Sequence, residues 1–320
     1  MHEILARIGE VGIIPVIVID RAEDAVPLAR ALLDGGIPVA EVTFRTAAAE
    51  EAIRRISREV PEVLVGAGTV LAPEQAEKAV AAGARFIVCP GFNRRVVEHC
   101  AARGIPVTPG TSTPTDMELA LEHGLEVVKY FPAEAAGGAK TLKAIAAPYK
   151  GLRFVPTGGI DATNLAGYLS FDRVLACGGS WMVKPDMLRA GDFAGVTRLS
   201  REAVSIALGF ELAHLGINAA DAPESQRTAG ELARLFGIPL REGNSSNFAG
   251  EIFEVMKAPG RGARGHVAVR TRSIDRAVAW LRRLGVEADL ESAVRKDGRI
   301  TAVYLKGEVG GYAFHLLQAK

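Results

Sequence analysis

The sequence contains few cysteines and no long apolar run. Its 320 residues include three cysteines, at positions 89, 100 and 177, which are too few and too scattered for a disulfide framework or a zinc knuckle. The amino terminus has no apolar segment behind a basic start, and no apolar run is long enough to span a bilayer. We therefore expect a soluble cytoplasmic protein that has no membrane partner.

An excess of charge of either sign is also absent. The formal net charge is +1, and there is no basic block or stripe of interleaved aromatic and basic residues, which argues against nucleic acid as a partner. Aromatic residues make up 6% of the chain, whereas alanine and glycine are abundant. This composition suits helices packed closely against a sheet, but it does not identify a function.

Strand-like apolar runs alternate with helix-like runs from the amino terminus to about Phe210. The strand-like runs are Ile13–Ile19, Val39–Arg45, Leu64–Val70, Phe86–Gly91, Pro106–Thr111, Val127–Pro132, Arg153–Gly159 and Val174–Ser180. Between them lie stretches such as Ala47–Val60 and Pro73–Ala81, with apolar residues at helical spacing. Eight strand–helix units of similar length predict an α/β fold of the TIM (β/α)8 barrel type, with an open doubly wound sheet as the second interpretation.

The pattern changes after Phe210, where an internal repeat replaces the alternation. The segment Ala213–Asn218 resembles Gly265–Arg270, and each copy is followed by a helix-like stretch and then by strand-like runs with polar turns. Two such copies predict a smaller α+β domain of paired βαβββ repeats. We therefore divide the chain into domains at 1–210 and 211–320.

A lysine lies at the end of an apolar run, in Val127–Pro132. Burial of an ammonium group is costly and lowers its pKa, and a lysine that is partly neutral is a nucleophile able to form a Schiff base with a ketone. Lys129 is therefore a candidate catalytic residue. The alternative is a lysine that reaches solvent from a strand edge or pairs with an acid.

Glu41, Thr43 and Arg45 alternate along one predicted strand and so share one face. They place there an acid for proton transfer and a guanidinium that can hold a carboxylate. An internal Glu41–Arg45 ion pair is the alternative. In Gly66–Val70, the glycines allow close approach of the backbone and Thr69 supplies a hydroxyl, which is a weak signal by itself.

Glycine-rich turns close the last two predicted barrel strands. They are Thr157-Gly158-Gly159 and Gly178-Gly179-Ser180. In this fold, such turns offer backbone N–H groups to a phosphate. Tight turns without a ligand are the alternative, but two adjacent turns that each carry a hydroxyl favour phosphate.

Seven motifs together resemble the bacterial 2-keto-3-deoxy-6-phosphogluconate (KDPG) aldolases. The motifs are Val39–Thr46, Val65–Leu71, Phe86–Asn93, Thr108–Thr113, Val128–Ala133, Val155–Asp161 and Gly178–Met182. The resemblance runs in order from about Ile8 to Leu208. It implies a class I aldolase on an α/β barrel, usually a homotrimer, and many members also cleave 4-hydroxy-2-oxoglutarate.

The resemblance also implies roles for individual residues. Lys129 would be the Schiff-base lysine and Glu41 the general acid/base; the substrate-binding residues would be Arg45, Thr69, Pro90, Phe131, Thr157, Gly158, Gly159, Gly179 and Ser180. The substrate would be a phosphorylated 2-keto-3-deoxy sugar acid, and the imine makes a cofactor unnecessary for the aldolase. Two alternatives are an aldolase for the galactonate isomer and a barrel that binds such a compound without turnover.

The segment after Phe210 resembles the vicinal oxygen chelate superfamily, which includes glyoxalase I and dioxygenases. That resemblance implies metal ligands at His214, Glu254, His266 and His315, a set that suits Zn, Ni, Fe or Mn. His315 departs from the family, which more often has a glutamate there, and this puts a specific glyoxalase activity in doubt. The alternative is a metal-free binding module. The domain would be either an enzyme for a small oxo-acid or a regulatory or assembly module.

Overall fold

The computed structural model describes residues 1–319. The chain falls into two compact units, whose described parts are 1–207 and 208–319. Within the described residues, no helix is both long enough and apolar enough to cross a membrane.

In the first unit, strands and helices alternate along the chain. The described strands are β1 (Ile13–Ile17), β2 (Val39–Thr43), β3 (Leu64–Gly68), β4 (Ile87–Val88), β5 (Val107–Thr108), β6 (Gly110–Thr111), β7 (Val127–Tyr130), β8 (Arg153–Pro156) and β9 (Cys177–Gly179). The described helices are α1 (Glu3–Val11), α2 (Ala25–Asp34), α3 (Ala49–Glu59), α4 (Pro73–Ala81), α5 (Arg94–Ala101), α6 (Pro114–Glu122), α7 (Gly138–Ala146), α8 (Leu165–Leu169), α9 (Pro185–Arg189) and α10 (Phe193–Leu208). A short 3-10 helix, Ala22–Asp24, precedes α2.

The strands of this unit are parallel and form a curled sheet in two pieces. One piece has the order β5-β4-β3-β2-β1-β9 and the other the order β6-β7-β8. Isolated parallel bridges between Phe154 and Val174 and between Thr157 and Gly178 connect β8 with the β9 segment. Since β5 and β6 are separated by Pro109 alone, the two pieces also adjoin at their other ends. The carboxyl ends of these strands therefore face a common region.

Several strands are shorter than the sequence predicts. The predicted strand Phe86–Gly91 is reduced to β4, and Pro106–Thr111 is interrupted at Pro109, because proline has no N–H to donate to a neighbouring strand. The predicted strand Val39–Arg45 ends at Thr43. The residues lost from the ends of β2 and β4, such as Arg45, belong to the connections that follow these strands.

The second unit contains a mixed sheet and two helices. Its described elements are β10 (Glu211–Asn218), α11 (Ala222–Phe236), β11 (Leu240–Glu242), β12 (Ser246–Ala249), β13 (Phe253–Met256), β14 (Gly265–Thr271), α12 (Ile274–Arg283), β15 (Ala288–Lys296), β16 (Arg299–Val309) and β17 (Tyr312–Gln318). The strand order is β11-β12-β13-β10-β14-β17-β16-β15. Each half is thus a strand, a helix and three strands, and the first strands of the two halves, β10 and β14, pair antiparallel at the centre.

Local sequence accounts for the boundaries of these elements. Asp221 and Ser273 cap α11 and α12 through their side chains, as is typical of helix starts. Asp297 and Gly298 have φ values of 51° and 77° between β15 and β16, so a tight turn joins these strands. This turn confirms the polar turn that the sequence predicts there.

Candidate active site and candidate metal centre

Lys129 and Glu41 lie side by side in the interior of the first unit. Lys129 is on β7 and Glu41 on β2, and Lys129 Nζ is 3.7 Å from Glu41 Oε1. Their side chains are only 6% and 2% exposed. The ring of Phe131 lies below the ammonium, with its centroid 5.0 Å from Nζ. A buried amine thus has an acid on one side and an aromatic wall on the other.

The glycine at the end of β3 makes room for Glu41. A Cβ atom on Gly68 would overlap the Glu41 carboxylate. Within residues 1–319, Glu41 Oε1 accepts no hydrogen bond, because its distance to the lysine is longer than a hydrogen bond. This oxygen is therefore able to accept a proton from a substrate or a water molecule.

Arg45 and Thr69 meet at the rim of the same strand ends. Arg45 Nε donates a hydrogen bond of 3.3 Å to Thr69 Oγ1. Thr69 has a φ of 57°, a left-handed conformation that is unfavourable for a β-branched residue and is often found at functional sites. Arg45 thus reaches Thr69 while Glu41 faces Lys129, which differs from the alternative of an internal Glu41–Arg45 pair.

Pro90 lines an open cavity next to this site. The cavity has a volume of about 450 Å³, and its lining residues are Val70, Leu71, Cys89, Pro90, Gly91, Phe92, Asn93, Arg94 and Arg95. Burial raises the pKa of the Cys89 thiol to about 12, so this thiol stays protonated near neutral pH. Lys129 therefore does not compete with a thiolate as the nucleophile of the site.

The two glycine-rich turns are adjacent in the structure. Thr157 and Gly178 are bridge partners, and a Cβ atom on Gly178 would overlap the Thr157 hydroxyl. Gly158 and Gly159 have φ values of 101° and 75°, a region that favours glycine. In the described part of the chain, their N–H groups donate no hydrogen bond. Free backbone amides of this kind form an anion-binding concavity.

Thr111 is a residue of the site that sequence reasoning overlooked. Its hydroxyl donates a 3.0 Å hydrogen bond to the carbonyl oxygen of Lys129, and the side chain is buried. Thr111 thereby fixes the backbone that carries the lysine. The available signal was a hydroxyl residue within the Thr108–Thr113 motif.

Four side chains converge in the second unit. Nε2 of His214 is 3.0 Å from Glu254 Oε2 and 3.2 Å from His266 Nε2, and His266 Nε2 is 3.3 Å from the same carboxylate oxygen. Ligand nitrogens of His214, His266 and His315 all lie within 4.8 Å of one another. The structure therefore brings together all four residues that the sequence singled out in this unit.

Register in the sheet explains this convergence. Gly216 lies between Glu254 and His266 on the three neighbouring strands β13, β10 and β14. Ala268 lies in the same way between His214 and His315 on β10, β14 and β17. Each set of three residues, side by side on neighbouring strands, forms a row across the sheet. The small residue in the middle of each row leaves space over that face of the sheet for the two flanking side chains. A Cβ atom on Gly216 would overlap the His266 ring.

Burial and hydrogen bonding shift the pKa values of two members of this cluster. Burial alone would raise the pKa of Glu254, but hydrogen bonds with His214, His266 and Ser246 outweigh burial and hold this pKa well below its usual range. Burial, with the neighbouring His266 and His214, lowers the pKa of His315 to about 4. His315 is 8% exposed, and its Nε2 has no hydrogen-bond partner among residues 1–319. A charged carboxylate and a neutral imidazole with a free ring nitrogen thus face the same point.

The chain matches the KDPG and KHG aldolase family over residues 4–199. It is 55% identical over 206 residues to a 2-dehydro-3-deoxy-phosphogluconate aldolase of Treponema pallidum, which covers 64% of this chain and 98% of the relative. It is 49% identical over 192 residues to the KHG/KDPG aldolase of Escherichia coli K12, covering 60% and 90% of the two chains.

A solved structure gives the same result in three dimensions. The KDPG aldolase of Legionella pneumophila, with pyruvate captured as a covalent carbinolamine intermediate, is 40% identical and superposes with a TM-score of 0.60 over 62% of this chain and 97% of that one. The matched range contains the Lys129–Glu41 pair, Arg45, Thr69 and both glycine-rich turns. The chain is a member of the KDPG and KHG aldolase family, a family of carbon–carbon lyases.

Proposed function

We propose that the first unit cleaves KDPG into pyruvate and glyceraldehyde 3-phosphate, and 4-hydroxy-2-oxoglutarate into pyruvate and glyoxylate. The observation that carries this proposal is the buried amine of Lys129 beside an oxygen of Glu41 that accepts no hydrogen bond among residues 1–319. A barrel that only binds a sugar-acid phosphate has no need for a reactive amine next to a proton acceptor. The relatives named for the gluconate substrate favour it over the galactonate isomer.

The mechanism follows from the chemistry of these groups. The neutral amine of Lys129 attacks the C2 ketone, and loss of water gives a protonated imine. This cation accepts the electron pair of the C3–C4 bond as that bond breaks. Glu41, directly or through one water molecule, takes the proton of the C4 hydroxyl. The aldehyde leaves, the enamine is protonated at C3, and water releases pyruvate from Lys129.

The remaining residues bind the two ends of the substrate. The Arg45 guanidinium and the Thr69 hydroxyl lie together, and we assign them to the pyruvate carboxylate. Pro90 and Phe131 line the pocket between the two ends. The free amides of Gly158 and Gly159, the Thr157 hydroxyl, Gly179 and the exposed hydroxyl of Ser180 form the phosphate site.

Two finer features of architecture belong to the same proposal. We propose that the two pieces of the parallel sheet close into an eight-stranded TIM barrel, because β5 and β6 count as one interrupted strand and bridges connect the β8 and β9 segments. The family resemblance favours a homotrimer, which light scattering of the purified chain would test.

For the second unit, we propose a divalent transition metal held by His214, Glu254, His266 and His315 in a domain of the vicinal oxygen chelate type, built from paired βαβββ repeats. Donor atoms 3.0–3.3 Å apart match the spacing of ligands around a metal with bonds of about 2.0–2.2 Å. The unpartnered Nε2 of His315 is the observation that favours a metal over a hydrogen-bonded cluster, since a buried polar atom without a partner is costly. Three imidazoles and one carboxylate suit zinc, nickel, iron or manganese, which would supply Lewis acidity or a structural link.

Lys129 should form the imine. We expect borohydride with pyruvate to add a stable mass to Lys129 and to abolish activity. Lys129→Arg should be nearly inactive, because a guanidinium stays protonated, whereas Lys140→Arg and Lys143→Arg, on exposed positions of α7, should keep activity. Peptide mass spectrometry locates the adduct, and an adduct on Lys140 or Lys143 instead would contradict the assignment.

Glu41→Gln keeps the shape of the side chain and removes the proton acceptor. We expect turnover to fall by about 10²–10⁴, as for loss of a positioned acid/base, while pyruvate still forms a borohydride-trappable imine. Glu59→Gln, at an exposed position of α3, is the control. Near-normal turnover of Glu41→Gln would show that Glu41 only balances the charge of Lys129.

Ser180→Ala should distinguish the two substrates. The variant removes a hydroxyl from the proposed phosphate site, so KM should rise for KDPG and change little for 4-hydroxy-2-oxoglutarate, which has no phosphate. Steady-state kinetics on both substrates measure the difference. An equal rise for both would mean that Ser180 shapes the pocket without contacting phosphate.

The second unit should bind one metal ion per chain. We expect native mass spectrometry of the full chain to show one zinc or nickel ion, which a chelator removes without loss of pyruvate-forming activity. His315→Ala should lose the metal, and His123→Ala, which alters a histidine of the first unit, should retain it. A chain that stays metal-free after incubation with these ions would refute the site, and chelator-sensitive aldolase activity would refute the independence of the two domains.

A further inference from the structure

The loop that we assign to phosphate lies next to a carboxylate. Glu134 follows β7, and its backbone N–H donates a 3.0 Å hydrogen bond to the carbonyl oxygen of Gly158. The N–H of Ala133 donates to the carbonyl oxygen of Thr157 at 2.8 Å. The segment that carries Glu134 is thus fixed against the loop by two backbone hydrogen bonds.

The side chain of Glu134 lies directly against this loop. A Cβ atom on Gly159 would be only 2.6 Å from Glu134 Cβ and 2.7 Å from its Cγ, so the two residues are in close van der Waals contact. The free N–H groups of Gly158 and Gly159 would attract any carboxylate within reach. A rotation of Glu134 about its side-chain bonds would place an internal anion beside the amides that the phosphate needs.

A tyrosine prevents this rotation. The hydroxyl of Tyr168, on α8, donates a short hydrogen bond to Glu134 Oε1. Tyr168 is 1% exposed, so its ring is held firmly by the core. The absence of a side chain at Gly138 leaves space for this pair, since a Cβ there would lie 3.3 Å from Glu134 Oε1 and 3.6 Å from the Tyr168 hydroxyl.

We infer that Tyr168 is a positioning residue that holds the Glu134 carboxylate away from the phosphate loop and thereby sets the preference for phosphorylated substrates. This inference rests on the proposed phosphate site at Thr157–Gly159 and Ser180. Tyr168 does not touch the substrate. Its effect comes from the direction in which a neighbouring negative charge points.

The test compares five variants on both substrates. Tyr168→Phe frees the carboxylate, and we expect KM for KDPG to rise about five- to thirtyfold. One pair of like charges about 4 Å apart in water repels by about 1 kcal/mol, which is about fivefold, and phosphate carries nearly two charges. KM for 4-hydroxy-2-oxoglutarate and both kcat values should change little. The double variant Tyr168→Phe/Glu134→Gln should restore KM for KDPG, because the amide has no charge. High salt should reduce the defect of Tyr168→Phe, because exposed charges are screened.

Tyr149→Phe is the matched control. Tyr149 also donates to a glutamate, Glu118, at 3.2 Å, but it does so on the surface between other elements, and its loss should leave both KM values unchanged. If Tyr168→Phe does not fold, Glu134→Gln tests the same point, since it should bind KDPG at least as well as the unmodified chain.

Three results would overturn the inference: a KM that rises equally for both substrates in Tyr168→Phe, a double variant as impaired as Tyr168→Phe, or a raised KM for KDPG in Glu134→Gln. Ser180→Ala separates this failure from that of the phosphate site. If Ser180→Ala discriminates between the substrates and Tyr168→Phe does not, only the role of Tyr168 is wrong. If Ser180→Ala does not discriminate either, the phosphate site itself is misplaced.

Discussion

An ammonium group and a carboxylate share the apolar interior of the first unit, and the surrounding structure is arranged to make this possible. Neither Lys129 nor Glu41 could be buried alone, because an isolated charge in an apolar environment is very unfavourable. Their separation of 3.7 Å is close enough for mutual stabilisation and too long for a hydrogen bond. Gly68 provides the space for the carboxylate, and Thr111 fixes the backbone of the lysine. The two groups therefore stabilise each other, and neither is engaged in a hydrogen bond with the other.

The strand ends around this pair also contain groups that are unfavourable for stability. Apart from Glu41, Lys129 and a few buried threonines, the strand interiors are mostly apolar. Residues just beyond the strands include Thr69 in a left-handed conformation, and Gly158 and Gly159, whose amides donate no hydrogen bond among residues 1–319. Backbone strain and unpaired N–H groups reduce stability where they occur. They are concentrated at one end of the parallel strands, and this is the end where a parallel α/β fold places its ligands.

Sequence patterns predicted the α/β fold of the first unit, because alternating strand-like and helix-like runs are visible in the local sequence. The catalytic roles of the candidate residues and the paired repeat of the second unit stay predictions. Lys129 is conspicuous in an apolar run, and the turns after the last two strands are rich in glycine. The lengths of the strands were less predictable, since apolar residues continue beyond the regular strand ladder. Phe86 and Cys89 lie outside β4, although each still makes a backbone hydrogen bond to a neighbouring strand. The Tyr168–Glu134 contact was not predictable at all. The two residues are 34 positions apart, and a tyrosine on a short amphipathic helix looks like any other core residue until the fold brings it to the carboxylate.

The cluster of the second unit shows how a sequence repeat can bring together side chains that neither copy could assemble alone. Each copy begins with a histidine followed two positions later by a small residue, His214 and Gly216 in one and His266 and Ala268 in the other. Residues two apart on a strand share a face, so each histidine has a small neighbour beside it on its own strand. When β10 and β14 pair antiparallel, each small residue lies in the row of the other copy's histidine, and the outer strands β13 and β17 complete the rows with Glu254 and His315. The donor set therefore depends on the pairing of the two halves, and a shift of that pairing by one residue would turn the histidine of one half to the opposite face of the sheet.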